Sequence, residues 1–149
     1  MSSVIEQTIE TYGIENWGAG YFGVNRKGNL IVRASENDNL TADVKEIIDD
    51  LRKRGINPPI LLRFPQLIVG QVRKLQSAFR KSIKEFEYEG GHLCVYPMKV
   101  NQNRSVIEEY LREGSRYSFG LEAGSRAELY AALAMEQSEN SLLVLNGFK

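Results

Sequence analysis

Lys99 stands at the C-terminal lip of a short apolar run, in the stretch HLCVYPMKVNQNRSVIEEYL that covers residues 92–111. Leu93–Tyr96 reads as a buried strand, Pro97 stops it, and a helix opens a few residues later. Strands covered on both faces are apolar throughout. A lysine at such a lip either stretches its ammonium to water or is placed for chemistry. The chemistry would be that of an amine. In an apolar pocket an ammonium is desolvated and its pKa falls, and the neutral amine condenses with an aldehyde as a Schiff base. Pyridoxal phosphate is the common aldehyde of this kind, and it acts as an electron sink for carbanion chemistry.

In α/β folds, function collects at the C-terminal ends of the strands. Read in order, the candidate ends are Arg63-Phe64, Met98-Lys99-Val100-Asn101, Glu122-Ala123-Gly124-Ser125 and Asn146-Gly147. Glu122 could pair with a cation near Lys99, or could simply place a negative charge at the N-terminus of the next helix. Asn146 joins Lys99 as a cofactor-binding candidate. Gly120 and Gly124 could admit a ligand to the backbone or serve as turn residues. His92 precedes the strand, at the wrong end for this site, and reads as a surface loop residue. There is no metal-ligand spacing of Cys and His, no P-loop and no GxSxG. One His and one Cys leave little for a nucleophile–base pair.

The elements that would position these residues follow from periodicity. Residues 1–40 are rich in Gly, aromatics and turn formers. Ala19–Val24 and Leu30–Arg33 read as a β-hairpin across Asn25–Asn29, with Gly28 supplying positive φ. From Thr41, a plausible N-cap, Val44, Ile47, Ile48 and Leu51 have helical spacing. Ile60–Leu62 reads as a strand. A long helix from about Pro65 to Phe86 carries the stripe Ile68, Val72, Leu75, Phe79, Ile83 and Phe86, with a solvated basic face opposite. The strand before Lys99 is followed by a helix over about Ser105–Glu113, stopped at Gly114. Tyr117–Leu121 reads as a strand, Ser125–Glu128 as a capping box opening a helix to about Glu136, and Leu142–Leu145 as a strand. The alternation from residue 41 predicts an α/β chain with a parallel sheet. We expect an N-terminal β element over 1–40 and, over 41–149, the opening part of a (β/α)8 TIM-type barrel, which typically needs about 250 residues.

Composition narrows the class. The chain has 149 residues, 42% hydrophobic and 26% charged, with 19 basic and 19 acidic residues and no formal net charge. Nothing in that balance steers it to nucleic acid or an anionic membrane. The single cysteine, Cys94, lies in an apolar strand and reads as a small core residue. No apolar run approaches the ~18 residues of a membrane span, and the opening MSSVIEQTIETYG has no secretory h-region, so a cytoplasmic location is expected.

The segments YGIENWGAGYF, PILLRF, CVYPMKVNQNRSVIEEYL, YSFGLEAGSRAELYAAL and LLVLNGFK occur in this order. From about Tyr12 to Lys149 the chain resembles the N-terminal portion of the biosynthetic arginine decarboxylases. These are pyridoxal-phosphate enzymes of the alanine-racemase-like barrel class, related to ornithine and diaminopimelate decarboxylases. The resemblance implies that Lys99 forms the Schiff base with the cofactor and that Glu122 is the acidic residue near it. It implies conversion of arginine to agmatine and carbon dioxide in polyamine (spermidine) biosynthesis, with Mg2+ as a further requirement and a homo-oligomer in the full-length family. Family members run to several hundred residues. Their later strands, glycine-rich phosphate loops, substrate-reading residues and C-terminal β domain would lie beyond Lys149. The isolated chain is therefore expected to be incomplete and inactive, needing a complementing C-terminal chain. The alternatives are a non-catalytic interaction module or one half of a split enzyme.

Overall fold

The order of elements begins with two short helices that the sequence reading did not place. In the computed structural model, which describes residues 3–33 and 40–147, α1 (Val4–Thr11) opens at Ser3. The Ser3 side chain accepts from the Glu6 N–H while the Glu6 carboxylate accepts from the Ser3 N–H. That reciprocal box was legible as S-x-x-E. Gly13, at φ 57°, turns the chain into α2 (Ile14–Gly18). The chain divides into two units, Met1–Leu67 and Ile68–Lys149. The change of composition at residues 40/41 falls inside the first. Residues 34–39, the tail of the turn-rich opening, and the terminal Phe148-Lys149 lie outside the described residues.

In the first unit, β1 (Phe22–Val24), β2 (Leu30–Arg33) and β3 (Thr41–Asp43) form an antiparallel sheet in that order. Between β1 and β2 the Asn25 side-chain oxygen accepts from the N–H groups of Lys27 and Asn29, and Gly28 takes φ 80°. Thr41 is not the helix cap. It pairs with Arg33 in the ladder, and the helix starts only where that ladder ends. The cap of α3 (Val44–Lys53) is Asp43, which accepts from the N–H groups of Lys45 and Glu46. The expected strand at Ile60–Leu62 pairs with no strand among the described residues. It is short, Leu61 is 73% exposed, and the prolines on either side, Pro59 and Pro65, cannot donate to a ladder.

In the second unit, β4 (Val95–Pro97), β5 (Gly120–Ala123) and β6 (Leu143–Leu145) form a parallel sheet with β5 central. α5 (Arg104–Gly114) connects the first pair and α6 (Arg126–Leu133) the second. This is an α/β unit with a parallel sheet. β5 starts three residues later than expected, because a 3-10 turn over Ser115–Tyr117 closes with Ser118 at φ 53°. Tyr96, Met98, Ile107, Leu111, Phe119, Leu121 and Ala132 form the core with Val72 of α4 (Pro65–Glu85). The basic side of α4 is not all solvated. Arg73 donates from Nε and Nη2 to the buried carboxylate of Glu113 at 2.7 and 3.2 Å, and the Arg80 guanidinium sits 4.8 Å above the Tyr117 ring. Burial exceeds expectation at His92 as well. It is half-buried and stacks on Phe79 with centroids 3.7 Å apart.

Candidate active site

Three parallel strands bring three carboxyl ends to one edge of a sheet. β4 ends at Pro97 and runs directly into a 3-10 turn, Met98–Val100, with Lys99 at its centre. The turn is fixed on both sides of the lysine. Met98 is 1% exposed and locked in the core, and the Tyr96 hydroxyl donates to the Asn101 carbonyl at 3.1 Å. Burial raises the Tyr96 hydroxyl above the ordinary tyrosine range, with the charge of Tyr110 adding to it. At neutral pH it is therefore a protonated donor. Downstream, Asn101 Oδ1 accepts from the Asn103 N–H, and Asn103 Oδ1 accepts from the Ser105 N–H to cap α5. Burial likewise raises the Cys94 thiol, which suits a core residue.

The Lys99 side chain itself is exposed. Its ammonium has no hydrogen-bond or ion-pair partner among the described residues. Of the two readings of a lysine at this lip, the exposure matches an ammonium that reaches water, because the 3-10 turn lifts residue 99 out of the strand.

Glu122 is different. It lies in the central strand, where all four residues are buried, and is itself 7% exposed. Its register neighbours are Pro97 in β4 and Val144 in β6. Neither is polar, and Pro97 has no N–H to offer. Both carboxylate oxygens are buried without a hydrogen-bond partner. An uncompensated buried carboxylate costs several kcal/mol, so such a group calls for a partner, a cation or a hydrogen-bond donor. It does not form an ion pair with Lys99. Asn146 follows β6, is exposed, and ties its end to β5 through its N–H, which donates to the Ala123 carbonyl at 3.0 Å.

The structure thus places Lys99, Glu122 and Asn146 at the carboxyl ends of β4, β5 and β6, without direct contact between Lys99 and Glu122. Glu128 was read only as part of a capping box. Ser125 Oγ does accept from the Glu128 N–H at 3.2 Å. The Glu128 carboxylate, however, turns to the Gly124 N–H at 2.7 Å and the Gln102 amide at 3.3 Å. The S-x-x-E spacing marked the residue, but its partners depend on tertiary placement. A groove of about 680 Å³ beside α5 and the segment after α6, lined by Arg104, Arg112, Met135 and Gln137 among others, includes none of the three site residues. No group of three or more His, Cys, Asp or Glu able to hold a metal ion occurs among the described residues, and no helix there is long and apolar enough to cross a membrane.

No protein-family model matches the chain. Individual proteins do. The biosynthetic arginine decarboxylase of Bacteroides thetaiotaomicron is 40% identical over 145 residues, 97% of this chain and 23% of that protein. The biosynthetic arginine decarboxylase of Citrifermentans bemidjiense is 41% identical over the same shares. The crystal structure of the Campylobacter jejuni biosynthetic arginine decarboxylase superposes with a TM-score of 0.81 at 39% identity, over 93% of this chain and 22% of that one. The chain spans a little under a quarter of the length of the relatives it matches. Over nearly all of its own length it is a homologue of the biosynthetic arginine decarboxylases.

Proposed function

We propose that this segment supplies the lysine-bearing strand end of a pyridoxal-phosphate-dependent arginine decarboxylase, acting in the cytoplasm on arginine to give agmatine and carbon dioxide. In this reading, β4, β5 and β6 are consecutive strands of a (β/α)8 barrel. The observation that carries it is the single edge that holds an unpaired primary amine, Lys99, and an orphaned buried carboxylate, Glu122, in a chain about 40% identical to such decarboxylases.

The residues present fit the cofactor. An aldehyde needs a primary amine without a competing partner, and Lys99 offers one. A cationic group needs a counter-charge in low dielectric, and Glu122 offers that. When bound, pyridoxal phosphate supplies the electron sink for the carbanion left by loss of carbon dioxide. The protein's part is positioning and charge. The Tyr96 hydroxyl and the buried Met98 hold the Lys99 turn to the sheet. Glu122 favours positive charge beside it. Asn146 presents an amide at the end of the next strand. A Mg2+ requirement finds no cluster of ligands among the described residues, and no step is assigned to it. Substrate recognition and assembly as a homo-oligomer, or with a complementing chain, are assigned to portions of the relatives that this chain does not span.

The test is borohydride trapping. The purified protein is mixed with pyridoxal phosphate, reduced and digested, and the peptides are weighed. The label is expected on the peptide containing Lys99 and is expected to vanish in Lys99→Arg. Label spread evenly over the chain's lysines, with Lys99 no more reactive than the others, would overturn the proposal and leave a binding module as the better description.

A further inference from the structure

We propose that Glu128 is a positioning residue that latches the loop carrying Lys99 to the strand end carrying Glu122. The inference rests on the reading of Lys99 given above.

A glutamate three residues after a serine cap ordinarily folds back onto the N–H of the cap itself. Glu128 does not. Ser125 caps α6 by accepting from the Glu128 N–H, but the Glu128 carboxylate reaches past Ser125. Oε2 accepts from the Gly124 N–H at 2.7 Å, and Oε1 accepts from the Gln102 side-chain amide at 3.3 Å. Gly124 directly follows β5, two residues after Glu122. Gln102 is three residues after Lys99. One carboxylate therefore joins the β4–α5 loop to the β5–α6 loop.

Gly124 offers only a donor, whereas the Gln102 amide presents either its NH2 or, flipped, its oxygen. An amide at position 128 therefore keeps both links, and a side chain without polar atoms keeps neither. Gly124 lies between two carboxylates. A Cβ there would come 3.5 Å from Glu128 Oε2 and 3.9 Å from Glu122 Oε1. Movement of this peptide would therefore displace the surroundings of Glu122 as well as release the Lys99 loop. The Tyr96–Asn101 bond holds the near side of that loop, and Glu128 holds its far side.

The chemistry of donors and acceptors gives a swap test. Glu128→Ala removes both bonds. Gln102→Glu sets two carboxylates against each other. In the double variant Gln102→Glu with Glu128→Gln, the amide at 128 accepts from the Gly124 N–H and donates to the carboxylate at 102, so both links return. Amide hydrogen exchange without added cofactor is read at Gly124 and across 100–103, and the concentration of pyridoxal phosphate that half-saturates borohydride trapping at Lys99 is read separately. Each single variant is expected to exchange about tenfold faster at Gly124, as for loss of one charge-assisted hydrogen bond. Each is also expected to need several-fold more cofactor, and the double variant is expected to recover on both counts. Unchanged exchange in Glu128→Ala, or a double variant no better than Gln102→Glu, would overturn the latch. Faster exchange with unchanged trapping would overturn its positioning role. If the wild type fails to trap at Lys99, it is the decarboxylase reading that falls. Faster exchange in the singles and recovery in the double would still establish the latch between the two loops.

Discussion

Gly120→Ala is expected to break the sheet that presents the site. Gly120 opens β5, and its N–H donates to the Cys94 carbonyl at 2.9 Å. On the other side β6 approaches so closely that a Cβ on Gly120 would sit 1.9 Å from the Leu142 carbonyl oxygen and 2.8 Å from its nitrogen and carbonyl carbon. Nonbonded heavy atoms rest at about 3.5 Å, so β5 and β6 would have to part by more than about 1 Å. The obstacle is backbone, and no side-chain rotation relieves it. The same Leu142 oxygen accepts from the Leu121 N–H at 3.0 Å, so the movement also breaks that bond. Overpacking of this kind costs about 1–3 kcal/mol and the hydrogen bond about 1 kcal/mol more, about 2–4 kcal/mol together. The control is Gly91→Ala. Its Cβ would meet nothing within 4 Å, and a change within about 0.5 kcal/mol is expected. Fluorescence is the wrong assay, because the only tryptophan, Trp17, belongs to the unit Met1–Leu67. Amide exchange at Leu121 and Asn146 reads the β5–β6 contact itself. About a hundredfold loss of protection corresponds to the middle of the range. Wild-type protection at Leu121 in Gly120→Ala would refute the reasoning.

Other expectations follow from the same contacts. The hydrogen bond from Arg73 to Glu113, with the charges of Arg73, Arg116 and Arg112, outweighs burial and holds the Glu113 carboxyl below its ordinary range. A depressed folded-state pKa contributes stability above the unfolded value, about 4.3 for glutamate, and that stability is lost as pH falls through the folded value. Urea midpoints of wild type and Glu113→Gln should therefore differ at pH 7 and draw together as pH falls below the unfolded value and through the depressed folded one; a gap that stays constant into acid would contradict this. Ile107 is 0% exposed, so Ile107→Ala should cost about 2–5 kcal/mol, measured by denaturant unfolding. Tyr96→Phe removes only the hydroxyl that donates to the Asn101 carbonyl. It should cost about 0.5–1.5 kcal/mol and show first as faster exchange over residues 98–103. Asn103→Ala should loosen the start of α5 by about 1 kcal/mol, seen as faster exchange at Ser105.

What could be read from the chain alone divides along physical lines. The order of elements from α4 to β6 was legible because its apolar stripes and short apolar runs are periodic and punctuated, although Leu75, Phe79 and Phe86 of the expected α4 stripe are exposed and β4 covers Val95–Pro97 rather than Leu93–Tyr96. Ser125 marks a boundary whose cause is local, but Gly114, expected to stop α5, lies inside it with right-handed helical backbone. A Cβ there would strike Phe119 at 2.3 Å, a contact across a turn that no local rule contains. The misplacements have the opposite character. Asp43 rather than Thr41 caps α3, because β3 claims residue 41 for a ladder with Arg33, and pairing between distant segments decided the boundary. The box at Ser3 and Glu6 that opens the helix Val4–Thr11 is local, by contrast, and lies in the sequence itself. Ile60–Leu62 had the composition of a strand but not the partner.

The site separates in the same way. That Lys99, Glu122 and Asn146 share an edge follows from parallel direction alone, since parallel strands carry their carboxyl ends to one side. Their environments do not follow. Strand position leaves Lys99 open between water and a pocket, and Glu122 between a cation's partner and a helix-terminal charge; the fold exposes the first and buries the second. The 3-10 turn begins one residue before Lys99 and gives the inward place to Met98. β5 remains the central strand one residue beyond Glu122 and keeps that carboxylate under cover. The amine is thus the accessible member of the pair and the carboxylate the constrained one. In the proposed reading, a cation brought to this edge is drawn toward Glu122, for whose oxygens no donor competes among the described residues. Glu122→Gln keeps the shape of the side chain and removes that attraction. It should weaken cofactor trapping at Lys99 by at least about tenfold, the equivalent of 1.4 kcal/mol, while leaving Gly124 exchange unchanged. Trapping at wild-type concentrations of cofactor would show that the buried charge serves the fold and not the site.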